Sequence, residues 1–165
     1  MFELKGKVAA VTGGGGILCS VMAKALAEAG AKVAVLDLKL EKAKDVADEI
    51  GNGAIACEAN VLERASLEAA REKIHAELGT IDILVNGAGG NHPGATTTPG
   101  EQSFFDLDPD AFTKVFQLNI LGTVLPCQVF CADMTERKSG CIINVASMNA
   151  FRPLTRIPAY SGAKA

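Results

Sequence analysis

Lys7 to Gly16 reads KVAAVTGGGG and Ser20 to Ala29 reads SVMAKALAEA, and the succession of these two stretches decides the fold. The first is a short apolar, β-capable run (Lys7 to Thr12) halted by four glycines; the second carries apolar residues at helical spacing. The order is strand, glycine turn, helix. Glycines at such a turn let the backbone approach a ligand closely, and a helix N-terminus offers free N–H groups and a partial positive charge to a phosphate. No G-K-[ST] follows, which excludes a Walker-type phosphate loop.

The pattern then repeats. Lys32 to Leu36 (KVAVL) forms a second apolar strand that ends on Asp37. An acidic residue this far beyond the glycine turn accepts hydrogen bonds from a ribose 2′-hydroxyl and repels a 2′-phosphate, which favours NAD over NADP as ligand. Lys39 and Lys42 lie nearby, and a solvated aspartate at a strand end is the plainer reading. Glu41 to Ile50 (EKAKDVADEI) is a helix, Gly53 to Cys57 a third strand, Arg64 to Leu78 an amphipathic helix, and Ile81 to Val85 (IDILV) a fourth strand. Near-continuously apolar strands alternating with helices predict an α/β domain, a doubly wound parallel sheet covered on both faces, over residues 1–165. Asn60-Val61 and Asn86-Gly87-Ala88-Gly89 fall at the carboxyl ends of strands three and four, where such sheets bind ligands; ordinary turn chemistry accounts for them equally.

Gly90 to Asp108 (GNHPGATTTPGEQSFFDLD) interrupts the rhythm with a long loop, a kind usually functional or mobile. A long helix is expected over roughly Pro109 to Arg137. It carries Asn119 within QLNILG, a polar group that needs partners and that can simply bridge backbone groups across a core. Gly140 to Ala146 (GCIINVA) is a fifth strand, delivering Ser147 to the same sheet edge as the glycine turn.

The sequence closes on SMNAFRPLTRIPAYSGAKA, Ser147 to Ala165. With Pro158 opening a helix, Tyr160 and Lys164 stand four residues apart on one face. A phenol ordinarily titrates near ~10, and a neighbouring ammonium favours the phenolate, so the pair has the makings of a proton donor and acceptor. An exposed tyrosine with a lysine one turn later is the bland alternative.

Composition removes several classes of function. The chain has 165 residues, 48% hydrophobic and 21% charged, enough for one domain with a real core. A formal net charge of -3 without a basic block gives no footprint for nucleic acid. The N-terminus, MFELKGKVAAVTGG, has an apolar run of about four residues, too short for a signal segment or a membrane span, so a cytoplasmic protein with no membrane partner is expected. Cys19, Cys57, Cys127, Cys131 and Cys141 form no C-x-x-C pair and no metal spacing with histidine, and are expected to be buried thiols, with no metal site.

Together, the Thr12-Gly13 turn, Asp37, Asn60-Val61, N-x-A-G at Asn86 to Gly89, Asn119, and Ser147 upstream of Y-x-x-x-K at Tyr160 to Lys164 resemble the short-chain dehydrogenase/reductase family across the whole sequence. The resemblance implies a Rossmann-type fold and a nicotinamide dinucleotide. It implies that Gly13, Gly15, Gly16, Ile17, Leu18, Asp37, Asn60, Val61, Asn86, Gly87, Ala88 and Gly89 bind the cofactor, together with Tyr160 and Lys164. Tyr160 would exchange the proton with the substrate oxygen, Lys164 would assist the phenol and hold the nicotinamide ribose, Ser147 would orient the carbonyl, and Asn119 would position a water. It also implies a small-molecule substrate and a homo-oligomer, dimer or tetramer.

Three departures stand out. Ile17 and Cys19 occupy positions where the family's T-G-x-x-x-G-x-G turn has glycines, so Cys19 should push its helix slightly outward. Gly87 replaces the second asparagine of N-N-A-G. The chain also stops one residue after Lys164, so it is expected to be the N-terminal portion of a longer, C-terminally truncated fold, with strand edges and apolar helix faces left open.

For the substrate, His92, Ser147, Asn149, Arg152 and Tyr160 form a polar, cationic set suited to a carboxylate and vicinal hydroxyls. Arg156 reads as a surface residue. The stretches GGNHPGATT, FFDLDP and SMNAFRPLTRIPAYS resemble the D-mannonate oxidoreductases within this family. This implies NAD(H)-linked interconversion of D-mannonate and D-fructuronate; another sugar acid or a polyol, such as gluconate, is the alternative, and a nucleotide-binding module without turnover is the reading from a different class.

Overall fold

The computed structural model describes residues 3–165. Five parallel strands, β1 (Val8–Thr12), β2 (Lys32–Asp37), β3 (Ile55–Glu58), β4 (Ile83–Asn86) and β5 (Cys141–Asn144), form one sheet in the order β3-β2-β1-β4-β5. Sequence order reverses between β1 and β4, and their carboxyl ends therefore open a crevice.

Side-chain alternation distributes the core. From β1, β2 and β4, Ala9, Val11, Val33, Val35, Ile83 and Val85 face one side. There they meet Cys19 and Ala23 of α1 (Ile17–Glu28) and Ala43, Val46 and Ala47 of α2 (Leu40–Ile50). Their neighbours Val8, Ala10, Ala34, Leu36 and Leu84 face the other side, against α3 (Arg64–Glu77), α5 (Gly122–Phe130) and α6 (Ala132–Arg137). A period of two sends successive residues to opposite layers, so strands buried on both faces must be apolar throughout. All five residues of β1 are buried.

The sheet's open edge is different. All four residues of β5 are exposed, and Ile142 and Ile143 show 45% and 44% of their surface. Cys141 is therefore exposed as well, and Cys127 only partly buried, which corrects the expectation of five buried thiols. Strand β3 begins at Ile55 because the backbone is still turning at Asn52, with φ 48°.

The single helix expected over 109–137 is instead three. Helix α4 (Pro109–Phe116) runs into a π-helical turn, Gln117–Leu121, before α5, and Cys131 (φ -96°, ψ 0°) separates α5 from α6. Within this stretch the Asn119 Nδ2 donates to the Val115 carbonyl at 2.8 Å, a side-chain bond into the helix's own backbone. Helix α7 (Pro158–Lys164) opens at Pro158 and packs with α4 through Ala159, Tyr160, Ala163, Val115 and Phe116.

Thr12 fastens the crevice. Its fully buried hydroxyl donates to the Val85 carbonyl (3.4 Å) and accepts from the N–H groups of Gly87 (3.1 Å) and Ala88 (3.3 Å). One donor and two lone pairs are all used. Beside it Gly13 has φ +63°, and a Cβ there would lie 2.9 Å from the Ala88 Cα. Replacing Thr12 by valine keeps the shape and removes the acceptor of two N–H groups, so Thr12→Val should lose about 1–3 kcal/mol of stability. Urea unfolding reads this directly; an unchanged midpoint would mean those N–H groups find water.

Candidate active site

A cleft of about 400 Å³ lies over the carboxyl ends of β1, β4 and β5. Gly13, Gly16, Ile17, Leu18, Cys19, Asp37, Gly87, Ala88, Gly89, Val145, Ala146, Tyr160 and Lys164 line it. It thus gathers the glycine turn, the end of β2, the turn after β4 and the start of α7.

The turn is built to meet an anion. Gly14 N–H is held by the Leu36 carbonyl (2.8 Å) and Gly16 N–H by the Gly13 carbonyl (3.0 Å), while no side chain caps α1. The first N–H groups of a helix lack intrahelical acceptors and carry the positive end of the helix dipole. Asp37 closes one end: its Oδ2 accepts from Gly15 N–H (3.1 Å) and its Oδ1 from Lys39 N–H (3.0 Å). Each oxygen keeps a lone pair for a hydroxyl donor.

Tyr160 and Lys164 close the other end. The Lys164 ammonium lies 5.8 Å from the Tyr160 ring centroid and donates to the Val145 carbonyl at 2.9 Å, leaving two of its three N–H bonds for a ligand. Burial lowers its pKa from the ordinary lysine value, and the Cys19 thiol partly opposes this. The Cys19 thiol is itself pushed up by burial first and Asp37 second, with Lys164 drawing it down.

Asn119 lies 5% exposed behind the cleft wall. Its Oδ1 accepts from Gly90 N–H (3.2 Å), and its Nδ2 donates to the carbonyls of Gly90 (2.7 Å) and Val115 (2.8 Å). Both amide protons are committed, so one Oδ1 lone pair is all the side chain has left for a water. A Cβ at Gly89 would come within 2.8 Å of that oxygen and 3.4 Å of Lys164 Nζ, so these three groups converge.

Other residues singled out by sequence lie elsewhere. Asn86 is 3% exposed, and its Nδ2 is bonded to Asn144 Oδ1 (2.9 Å) and Cys127 Sγ (3.2 Å), so its side chain knits β4 to its neighbours instead of facing the cleft. The Asn60 carboxamide is taken by Leu62 N–H (3.0 Å) and Glu63 (2.8 Å), and Val61 is buried against Gly122. Gly15 reaches the site through its bond to Asp37 and does not line it. Ser147 adjoins the wall residue Ala146, but its Oγ accepts from Asn149 N–H (3.2 Å), capping the 3₁₀ turn Met148–Ala150, and Asn149 is 2% exposed beneath that turn. Exposed His92 caps a second 3₁₀ turn, its Nδ1 accepting from Gly94 N–H (3.1 Å).

Arg152 is exposed, and Arg156 is exposed with φ 75°, its carbonyl accepting from Thr97 N–H at 2.7 Å. That bond ties the loop after β4 to the loop before α7. Sequence reasoning missed Val145, Ala146 and Cys19 as lining residues; only the last had a signal, as the residue in a glycine's place. A second concavity of about 370 Å³ in the loop 97–106 brings together no comparable set of donors.

The strand order, the reversal point and a glycine turn opening a helix at that point define a Rossmann-type fold. The family model "short chain dehydrogenase" matches residues 7–165. The protein belongs to that family. It is 49% identical to an uncharacterized oxidoreductase, UxuB, of Bacillus subtilis, covering 99% of this chain and 62% of that one. It is 38% identical to D-threitol dehydrogenase of Mycolicibacterium smegmatis (99% and 61%). A candidate D-mannonate oxidoreductase from Haemophilus influenza, crystallised with bound NAD, superimposes with a TM-score of 0.93 at 48% identity, covering 99% of this chain and 62% of that one. The sequence therefore spans about three fifths of the length of these relatives.

The clamp formed by Asn119 gives a prediction. Asn119→Leu leaves the Gly90 N–H and the Gly90 carbonyl without the side chain that holds them, and should cost about 1–3 kcal/mol. It should also release the Gly90 amide to fast hydrogen exchange. Protection of Gly90 equal to wild type would show that the loop is held by other contacts.

Proposed function

We propose that this protein forms the cofactor-binding and catalytic part of an NAD(H)-dependent oxidoreductase. It would interconvert a secondary alcohol and a ketone of a sugar acid, D-mannonate and D-fructuronate. One observation carries the reading: Tyr160 and Lys164 stand in the wall of the same cleft as the uncapped α1 N-terminus and Asp37. A proton-transfer pair, an anion-binding turn and an acceptor for ribose hydroxyls then share one space.

The residues present fit a dinucleotide. Free N–H groups at the start of α1 suit a pyrophosphate, and the Asp37 carboxylate suits a 2′-hydroxyl and repels a 2′-phosphate, favouring NAD over NADP. Bound NAD supplies the hydride acceptor for alcohol oxidation, and NADH the donor for the reverse. Tyr160 takes the hydroxyl proton as the alcohol is oxidised and returns it to the carbonyl oxygen in reduction. Lys164 keeps a positive charge beside the phenol and offers two N–H donors to the nicotinamide ribose. Ser147 donates its O–H to the substrate oxygen while its Oγ still accepts from Asn149 N–H. Asn119 sets the position of the Gly89–Gly90 backbone next to Lys164 and presents one Oδ1 lone pair to a water.

Arg152, exposed in the loop before α7, is available to pair with a substrate carboxylate. The likeness to a candidate D-mannonate oxidoreductase bound to NAD supports both cofactor and substrate class. The likeness to a D-threitol dehydrogenase favours a polyol as the second reading. Assembly into a dimer or tetramer belongs to the same proposal.

The test is NADH absorbance with D-mannonate, D-fructuronate, gluconate and D-threitol, in a protein of the relatives' length that carries this sequence. Turnover should be highest with the first pair, and Tyr160→Phe should abolish it while NADH still binds. Turnover by the Phe variant within a few-fold of wild type would remove the acid-base role, and preference for D-threitol would select the polyol. Asp37→Ala should weaken NAD and strengthen NADP, and an unchanged ratio of the two dissociation constants would place the cofactor ribose elsewhere.

A further inference from the structure

Two features that look like separate irregularities in the sequence meet in space. A Cβ built on Gly87 would lie 2.1 Å from the Cys19 Sγ, a distance no pair of non-bonded atoms tolerates, yet 3.5 Å from the Cys19 Cβ, an ordinary contact. The sulfur alone fills the space that a side chain at position 87 would require. Cys19 is 5% exposed, on the first turn of α1, and lines the cleft. Gly87 is not in the left-handed region, so its backbone conformation suits any residue and the obstacles to a side chain there are steric. A second close approach, 2.9 Å to the Thr12 carbonyl oxygen, is backbone and independent of residue 19.

We propose that Cys19 and Gly87 act as one steric pair setting the depth of the cleft between α1 and the turn after β4, where bulk is allowed at one of the two positions and not at both. Both are positioning residues for the dinucleotide, so this part rests on the NAD reading above. A side chain at 87 drives the Cys19 sulfur into the cleft, where it displaces the bound nucleotide. With the sulfur gone, a methyl group at 87 takes its place and the cleft keeps its shape.

A double-mutant cycle tests the pair with minimal change of atoms: wild type, Cys19→Ala, Gly87→Ala and the double variant, each measured by NADH fluorescence titration and by thermal unfolding. The Thr12 contact is common to both Gly87→Ala proteins and cancels in the cycle. Gly87→Ala should weaken NADH by about tenfold or more and lower Tm, and adding Cys19→Ala should recover the part of both losses that the sulfur causes. NADH binding by wild type with an additive cycle overturns the pair and leaves the cofactor reading intact. A non-additive Tm cycle in a protein that binds no NADH upholds the steric exclusion and overturns the cofactor reading. Gly87→Ala binding NADH as wild type does would overturn the pair outright.

Discussion

A single hydroxyl sits where the fold turns on itself. Thr12 ends the central strand at the point where the sheet's order reverses, and its Oγ bridges the Val85 carbonyl and the N–H groups of Gly87 and Ala88. Those two N–H groups lie just past the strand ladder and need an acceptor when buried. By supplying it, Thr12 brings the turn after β4 against the turn after β1 until only a glycine at 13 fits beside Ala88. The floor of the cleft is the product of that approach.

Charged groups border this floor. The Asp37 carboxylate and the Lys164 ammonium both stand in the wall of the cleft, as does the Cys19 thiol. Partial burial makes the cation costlier to maintain, and its hydrogen bond to the Val145 carbonyl offsets part of that cost. The same burial leaves few competitors for its remaining donors. A cleft with an acceptor at one end, an ammonium at the other and helix N–H groups between is suited to an elongated anionic ligand bearing hydroxyls.

Asn119 shows how one side chain serves both architecture and site. It bonds the Val115 carbonyl from within the π-turn, and by clasping both backbone groups of Gly90 it anchors the start of the long loop. One side chain therefore links the irregular turn of the helix to the backbone beside Lys164. Extra residues inserted into a helical turn are a recurrent way to aim a side chain at a functional region.

Much of this was legible in the sequence because it rests on local rules. Apolar strands alternating with amphipathic helices required a parallel sheet covered on both sides, and spacing alone put Tyr160 and Lys164 on one helical face. Pro158 at the first position of α7 and the glycines after β1 are local signals too. An asparagine at a strand's carboxyl end reads alike whether it faces a ligand or a neighbouring strand; the Asn86 side chain bonds Asn144, 58 residues away. The π-turn at Gln117–Leu121 has no local signal, and the partners of Asn119 within it include Gly90, 29 residues away. Likewise Cys19 and Gly87 could be recognised singly as departures from a pattern, but their contact spans two turns of backbone brought together by Thr12. Periodicity reports what each segment buries. Which groups then touch is decided by three-dimensional packing, where atoms distant in sequence compete for the same volume and the same hydrogen-bond partners.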